Sequence, residues 1–195
     1  DIAGALTVGV DDTGHDVKFF GATSGVFLHW DESADRLIFT DNAYLAVGSS
    51  SDLLVYHDAS NSHILNSTGN LNITNGQVDG DIIFKCDDGS GGEETYFFLD
   101  GSASSGNPNT IFPDNSLLRC GDNGDLALYH DATDSIVENL TGDFHIKNHA
   151  NDKDISFQCD NGSGGTTAYL TLDGSVGYTT AQKNIRFIDN VVAQY

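Results

Sequence analysis

The chain has 195 residues, among them 22 Gly, 2 Pro and no Met, and only 38% are hydrophobic. Such a make-up points to short strands joined by tight turns and leaves a single copy with a thin core. Twenty-nine acidic against 8 basic residues give a formal net charge of −21, which argues against nucleic-acid phosphates and anionic membrane surfaces as partners.

The first elements take their meaning from their counterparts later in the chain. Asp16-Val17-Lys18-Phe19 and Phe27-Leu28-His29-Trp30-Asp31 occupy the places of Asp81-Ile82-Ile83-Phe84 and Tyr96-Phe97-Phe98-Leu99-Asp100. Residues 1–38 are therefore expected to be the second half of a preceding repeat. Trp30 aligns with Leu99 and Leu172 and is expected in the core.

Phe39-Thr40-Asp41-Asn42 opens a full unit, 39–111, and Phe112-Pro113-Asp114-Asn115 opens the next, 112–186. Sliding the sequence by 73 positions lays Asp52–Ser102 onto Asp125–Ser175 without a gap, with about half the positions matching, and self-similarity of this kind decides the architecture. A third start, Phe187-Ile188-Asp189-Asn190, makes 187–195 the beginning of a further, truncated repeat. A chain that starts and stops inside its own repeat is expected to be a piece of a longer array.

Within the unit the period is two. Ile82, Phe84 and Cys86 alternate with Ile83 and Lys85, and Ile155, Phe157 and Cys159 alternate with Ser156 and Gln158, the pattern of a half-buried strand. Phe97 and Leu99, Leu170 and Leu172, and Leu28 and Trp30 fall on one face of the strand after the glycine turn, opposite Tyr96, Thr171 or His29. Each unit thus predicts a hairpin, with turns at 59–62, 67–70, 75–80 and 88–94 and roughly five or six strands in all. The copies differ most between 103–110 and 176–184, whose N-terminal counterpart is 32–36; repeat arrays carry their variation in such loops.

The cysteines Cys86 and Cys159 sit at equivalent positions and form no disulfide framework, so buried free thiols are expected. No apolar run approaches a bilayer-spanning length, and the first residues show no signal-peptide pattern. The fold class is all-β, in tandem repeats of short strands and tight turns. Strands with one apolar face and no helix to cover it must bury that face against a neighbouring unit or a sister chain.

Several patterns invite a chemical reading. Tyr56-His57-Asp58 and Tyr129-His130-Asp131 place a carboxylate beside an imidazole, making His57 and His130 candidate metal ligands. Closure of a turn by His and Asp is the stronger reading, because adjacent strand residues face opposite ways and no third ligand accompanies them. Asp87-Asp88-Gly89-Ser90 and Asp122-Asn123-Gly124-Asp125 resemble calcium loops in composition alone and read as turns. No motif indicates a cofactor, although divalent cations would screen so acidic a surface. No Gly-x-Ser-x-Gly, His-Glu-x-x-His or phosphate-cradling loop is present, so no catalytic residue is assigned and the chain is not expected to be an enzyme. Tyr44, Tyr178 and Trp30 could stack on sugars, with Tyr178, in the variable stretch, the best candidate for glycan contact.

Units that begin Phe-x-Asp-Asn and contain Asp-Leu-x-x-Tyr-His-Asp-Ala resemble the repeats of tail-fibre and related fibrous virion proteins of marine, particularly cyanobacterial, bacteriophages. The segments Val8–Gly25 and Trp30–Asp35 are similar to a stretch of the same kind of protein, so the resemblance covers nearly the whole chain. It implies an elongated, fibrous homotrimer, intertwined or side by side, on the tail of a virion and extracellular after release. Other tail proteins and host surface polysaccharide are the implied partners. A monomeric β-solenoid is the alternative architecture; a glycan-binding or glycan-depolymerising tailspike module and a capsid decoration fibre are the alternative functions.

Overall fold

The structure, a computed structural model, describes residues 3–102 and 106–186. The expected truncated repeat at 187–195 and residues 103–105 of the variable stretch lie outside these. The described residues contain fifteen strands and no helix, arranged as five three-stranded antiparallel sheets in which chain neighbours pair. The all-β expectation is met.

The chain divides into two units, Asp1–Gly80 and Asp81–Tyr195. In the first, β1 (Val17–Phe20), β2 (Phe27–Asp31) and β3 (Arg36–Phe39) form one sheet, and β4 (Leu45–Val47), β5 (Leu53–His57) and β6 (Ser62–Asn66) another. In the second, the sheets are β7 (Ile82–Asp87), β8 (Glu93–Asp100) and β9 (Asn109–Ile111); β10 (Leu118–Cys120), β11 (Leu126–His130) and β12 (Ser135–Asn139); and β13 (Ile155–Asp160), β14 (Thr166–Asp173) and β15 (Tyr178–Ala181).

Alternation and turn chemistry together set the registers. Leu45 pairs with Val55 and Val55 with Ile64, as Leu118 pairs with Leu128 and Leu128 with Val137, the same ladder 73 positions on. Ile82 pairs with Leu99 and Ile155 with Leu172; Val17 and Trp30 make the corresponding pair in the first sheet. Both eight-residue strands carry a bulge, after Phe84 and after Phe157 on the facing strand. The bulge frees Tyr96 and Tyr169 from the ladder and lets their hydroxyls donate to the carbonyls of Asp87 and Asp160, at 3.2 and 3.0 Å.

The turns repeat as faithfully. Asp81 accepts from the Gly101 amide at 2.9 Å and Asp154 from the Gly174 amide at 3.0 Å, tying the entry of each hairpin to its exit. Asn66 and Asn139 each donate to two carbonyls of the following turn. Gly48 and Gly121 both take φ near +90° (93° and 90°), and a Cβ at either would collide with the carboxyl of Asp52 or Asp125. Only glycine satisfies both demands. The connection from β8 to β9 is longer than that from β14 to β15, and here the copies depart from one another.

A hydrophobic core is nearly missing. Among the described residues the buried apolar side chains are Ala43 and Ala127. The chain exposes 15762 Å², against about 9,000 Å² for a compact monomer of this mass and about 11,000 Å² for two independent halves. Within each unit the three-stranded sheets stand without a second layer over their apolar faces, which contributes to the surplus. For the same reason Trp30, expected in the core, is 39% exposed, and the free thiols of Cys86, Cys120 and Cys159 are exposed rather than buried. Alternation identifies the apolar faces correctly; within each unit the described residues supply no second layer over them.

Candidate functional site

The site this structure offers is a surface. On one face of the β4–β6 sheet lie Leu45, Val47, Leu53, Val55 and Ile64, and the β10–β12 sheet presents Leu118, Cys120, Leu126, Leu128 and Val137 at the same registers. The central triads, Leu45–Val55–Ile64 and Leu118–Leu128–Val137, are between 40% and 65% exposed. No Asp, Glu, Lys or Arg occupies this face in either sheet. The negative charge sits mainly in turns, leaving the strand faces free of it.

The other three sheets have a corresponding face. Val17, Phe19, Leu28, Trp30 and Leu37 share it in β1–β3; Ile82, Phe84, Phe97 and Leu99 in β7–β9; and Ile155, Phe157, Leu170 and Leu172 in β13–β15. Phe84 and Phe97 stack at 4.5 Å between ring centres, and Phe112 lies 5.8 Å from Phe97. The reverse faces are not alike: Ile83, Phe98 and Ile111 in one copy become Ser156, Thr171 and Thr180 in the other. At these reverse-side positions the apolar residues of one copy are not kept in the other.

Of the residues singled out from sequence, the two histidines take equivalent places. His57 stands at the end of β5 on the apolar face, with Nδ1 3.1 Å from the Ser62 hydroxyl, and His130 repeats this with Ser135 at 3.3 Å. Neither belongs to a cluster of metal-ligating side chains among the described residues. Asp58, instead of orienting its neighbour His57, closes the hairpin: its carboxylate accepts from the amides of Asn61 (2.7 Å) and Ser60 (2.9 Å). Its second oxygen accepts from His63 Nε2 at 2.8 Å. The Asn61 amide first, then His63 and the Ser60 amide, pull the Asp58 pKa down to about 2. Asp131 accepts from the amides of Asp134 and Thr133, which lower its pKa as well.

His63 escaped the sequence reading because it occurs in one copy alone; Ile136 takes its place in the other. The signal available was its spacing, since a residue five positions after a turn-closing Asp lands beside it across the hairpin. Tyr56 stacks on His63 at 4.6 Å and lies 4.5 Å from Tyr44, so Tyr44 belongs to an aromatic row on the reverse face. Another imidazole, His29, has Nε2 3.0 Å from an Asp16 carboxylate oxygen, and the Glu32 amide first, then His29, hold the Asp16 pKa below its usual value.

The acidic turns use their oxygens locally. Asp87 and Asp88 accept from the amides of Gly89 and Ser90, and the Ser90 hydroxyl is the main cause of a lowered Asp88 pKa. Tyr178, 69% exposed at the start of the edge strand β15, lines an open cleft with Asn148, Lys153, Leu172 and Asp173. No family model, curated protein or solved structure matches the chain.

Proposed function

We propose that this chain is a structural module of a homotrimeric fibre, a segment of a phage tail fibre that extends the appendage and contacts the host surface through its variable loops. One observation carries the reading: every sheet bares an apolar face over which no described residue of its own unit lays a second layer, and in β4–β6 and β10–β12 that face holds no charged residue. The excess exposed area, about 5,000 Å² over two independent domains, is of the size that permanent oligomers bury. The repetition of that face in both copies makes it suited to a partner with the same repeat, a sister chain in parallel register. The number three follows from the resemblance of the repeats to fibrous virion proteins.

Sedimentation equilibrium at micromolar concentration tests this. A species of three times the 20.8 kDa chain mass supports it, and a stable, folded monomer overturns it. Glycan binding is a second reading, favoured by the cleft in which the exposed Tyr178 ring stands beside Asn148, Lys153 and Asp173. A glycan array run on the native protein and on Tyr178→Ala separates a sugar site from a bare edge strand.

A further inference from the structure

In each copy the chain between two sheets contains a stretch that belongs to neither of them. Residues 70–74 and 143–147 run without helix, turn, bend or ladder pairing, so the backbone is extended, and none of them has a positive φ. The sequence alternates strictly: Leu71 and Ile73 between Asn70, Asn72 and Thr74, and Phe144 and Ile146 between Asp143, His145 and Lys147. The apolar positions keep their character between the copies, whereas the polar ones change freely.

Exposure obeys the same rule. Leu71 and Phe144 are 47% and 51% exposed, Ile73 and Ile146 62% and 58%. The backbone N–H and C=O groups of 71–74 and 144–147 have no partner within the chain among the described residues. An extended, alternating segment with an unpaired edge is a strand in everything except its neighbour.

We propose that residues 70–74 and 143–147 are the strands by which sister chains pair, each adding its backbone ladder to another copy and turning Leu71, Ile73, Phe144 and Ile146 into the shared apolar interior. The occupant is a second copy of this chain. Two equivalent segments 73 positions apart in the sequence offer two pairing sites, a match that a sister chain in parallel register meets at both. The segment 70–74 has no charged residue, and 143–147 holds Asp143 with Lys147, so the −21 of the whole chain is not concentrated where the copies would meet. Pairing here also fixes register, because a one-residue slip would turn both apolar pairs outward. The inference rests on the homo-oligomeric reading above and assigns it a specific contact.

Amide hydrogen exchange on the intact protein, together with sedimentation, tests it. In the wild-type oligomer the amides of residues 71–74 and 144–147 should exchange at least about tenfold more slowly than in a free chain, although among the described residues none bonds them within the chain. The double variant Asn72→Pro/His145→Pro removes two N–H donors that bond to no described residue of the same chain, and Pro suits an extended backbone. It should keep the circular dichroism of the wild type, lose that protection and sediment as the monomer. A wild-type trimer whose amides in these segments exchange at the free-chain rate, or a proline variant of unchanged mass, would overturn the pairing and leave the trimer standing. A monomeric wild type would overturn both.

Discussion

The sheets β4–β6 and β10–β12 are one design executed twice, and their two sides have different histories. On the apolar side Leu45, Val55 and Ile64 become Leu118, Leu128 and Val137, with no charge introduced. On the reverse side Ala46, Leu54 and Leu65 become Arg119, Ala127 and Glu138, and the row Tyr44–Tyr56–His63 becomes Leu117–Tyr129–Ile136. A side that accepts Glu in place of Leu tolerates charge, even with Ala127 buried on it. A side that keeps its apolar character while exposed in the lone chain has the chemistry of an interaction surface.

The largest effect should come from charging the constant side. Val55→Asp or Leu128→Asp puts a carboxylate where no opposite charge is at hand, and either change should convert the oligomer to monomer in sedimentation. Leu65→Glu places on the reverse side the residue that the other copy already carries at Glu138, and should leave the mass unchanged. Equal loss of mass from both substitutions would erase the distinction between the sides. Next in size is the turn glycine: Gly48→Ala or Gly121→Ala forces a left-handed backbone on alanine and a clash with Asp52 or Asp125. Each should cost on the order of 2 kcal/mol in denaturant unfolding.

Much of this is legible in the amino-acid order, and the remainder has a common cause. Alternation at Ile82–Cys86 and again at Phe97–Leu99 correctly sorts Phe84 and Phe97 onto the apolar face of their strands, where they meet, because side-chain direction along a strand is a local property. The turn role of Asp58 comes from equally local chemistry. Trp30, Cys86 and Cys159 are expected inside yet stand exposed, because alternation reports which residues share a face and is silent on what lies over it. Whether a face is covered is a property of the assembly. His63 is overlooked for the opposite reason: attention to what repeats hides what one copy holds alone.

A smaller effect is expected at the hairpin turns, where Ala59 and Ala132 both take φ of 76°. Alanine is strained in this conformation and glycine is not, so Ala59→Gly and Ala132→Gly should each stabilise the protein, by up to about 1 kcal/mol in denaturant unfolding. Equal gains from the two would show that the turns remain equivalent despite the changed residue beside them.

The finest contrast is that changed residue, His63 against Ile136. The folded-state pKa of Asp58 is depressed to about 2 from 3.8, so its contribution to stability is fully present above pH 3.8 and is lost as the pH falls through about 2. Asp131 has the same pair of turn amides as donors but no imidazole across the hairpin, and its lowered pKa rests chiefly on the backbone. His63→Ile should therefore raise the Asp58 pKa toward that of Asp131, and Ile136→His should lower that of Asp131 toward Asp58. Carboxyl carbon shifts traced from about pH 5 to about pH 1.5 by NMR read both sites in one titration across the span where such carboxylates protonate. Reciprocal movement of the two curves would assign the difference between the copies to one imidazole; an Asp58 curve indifferent to His63→Ile would assign it to the turn amides, where a backbone N–H is the largest cause of the lowered pKa at both sites.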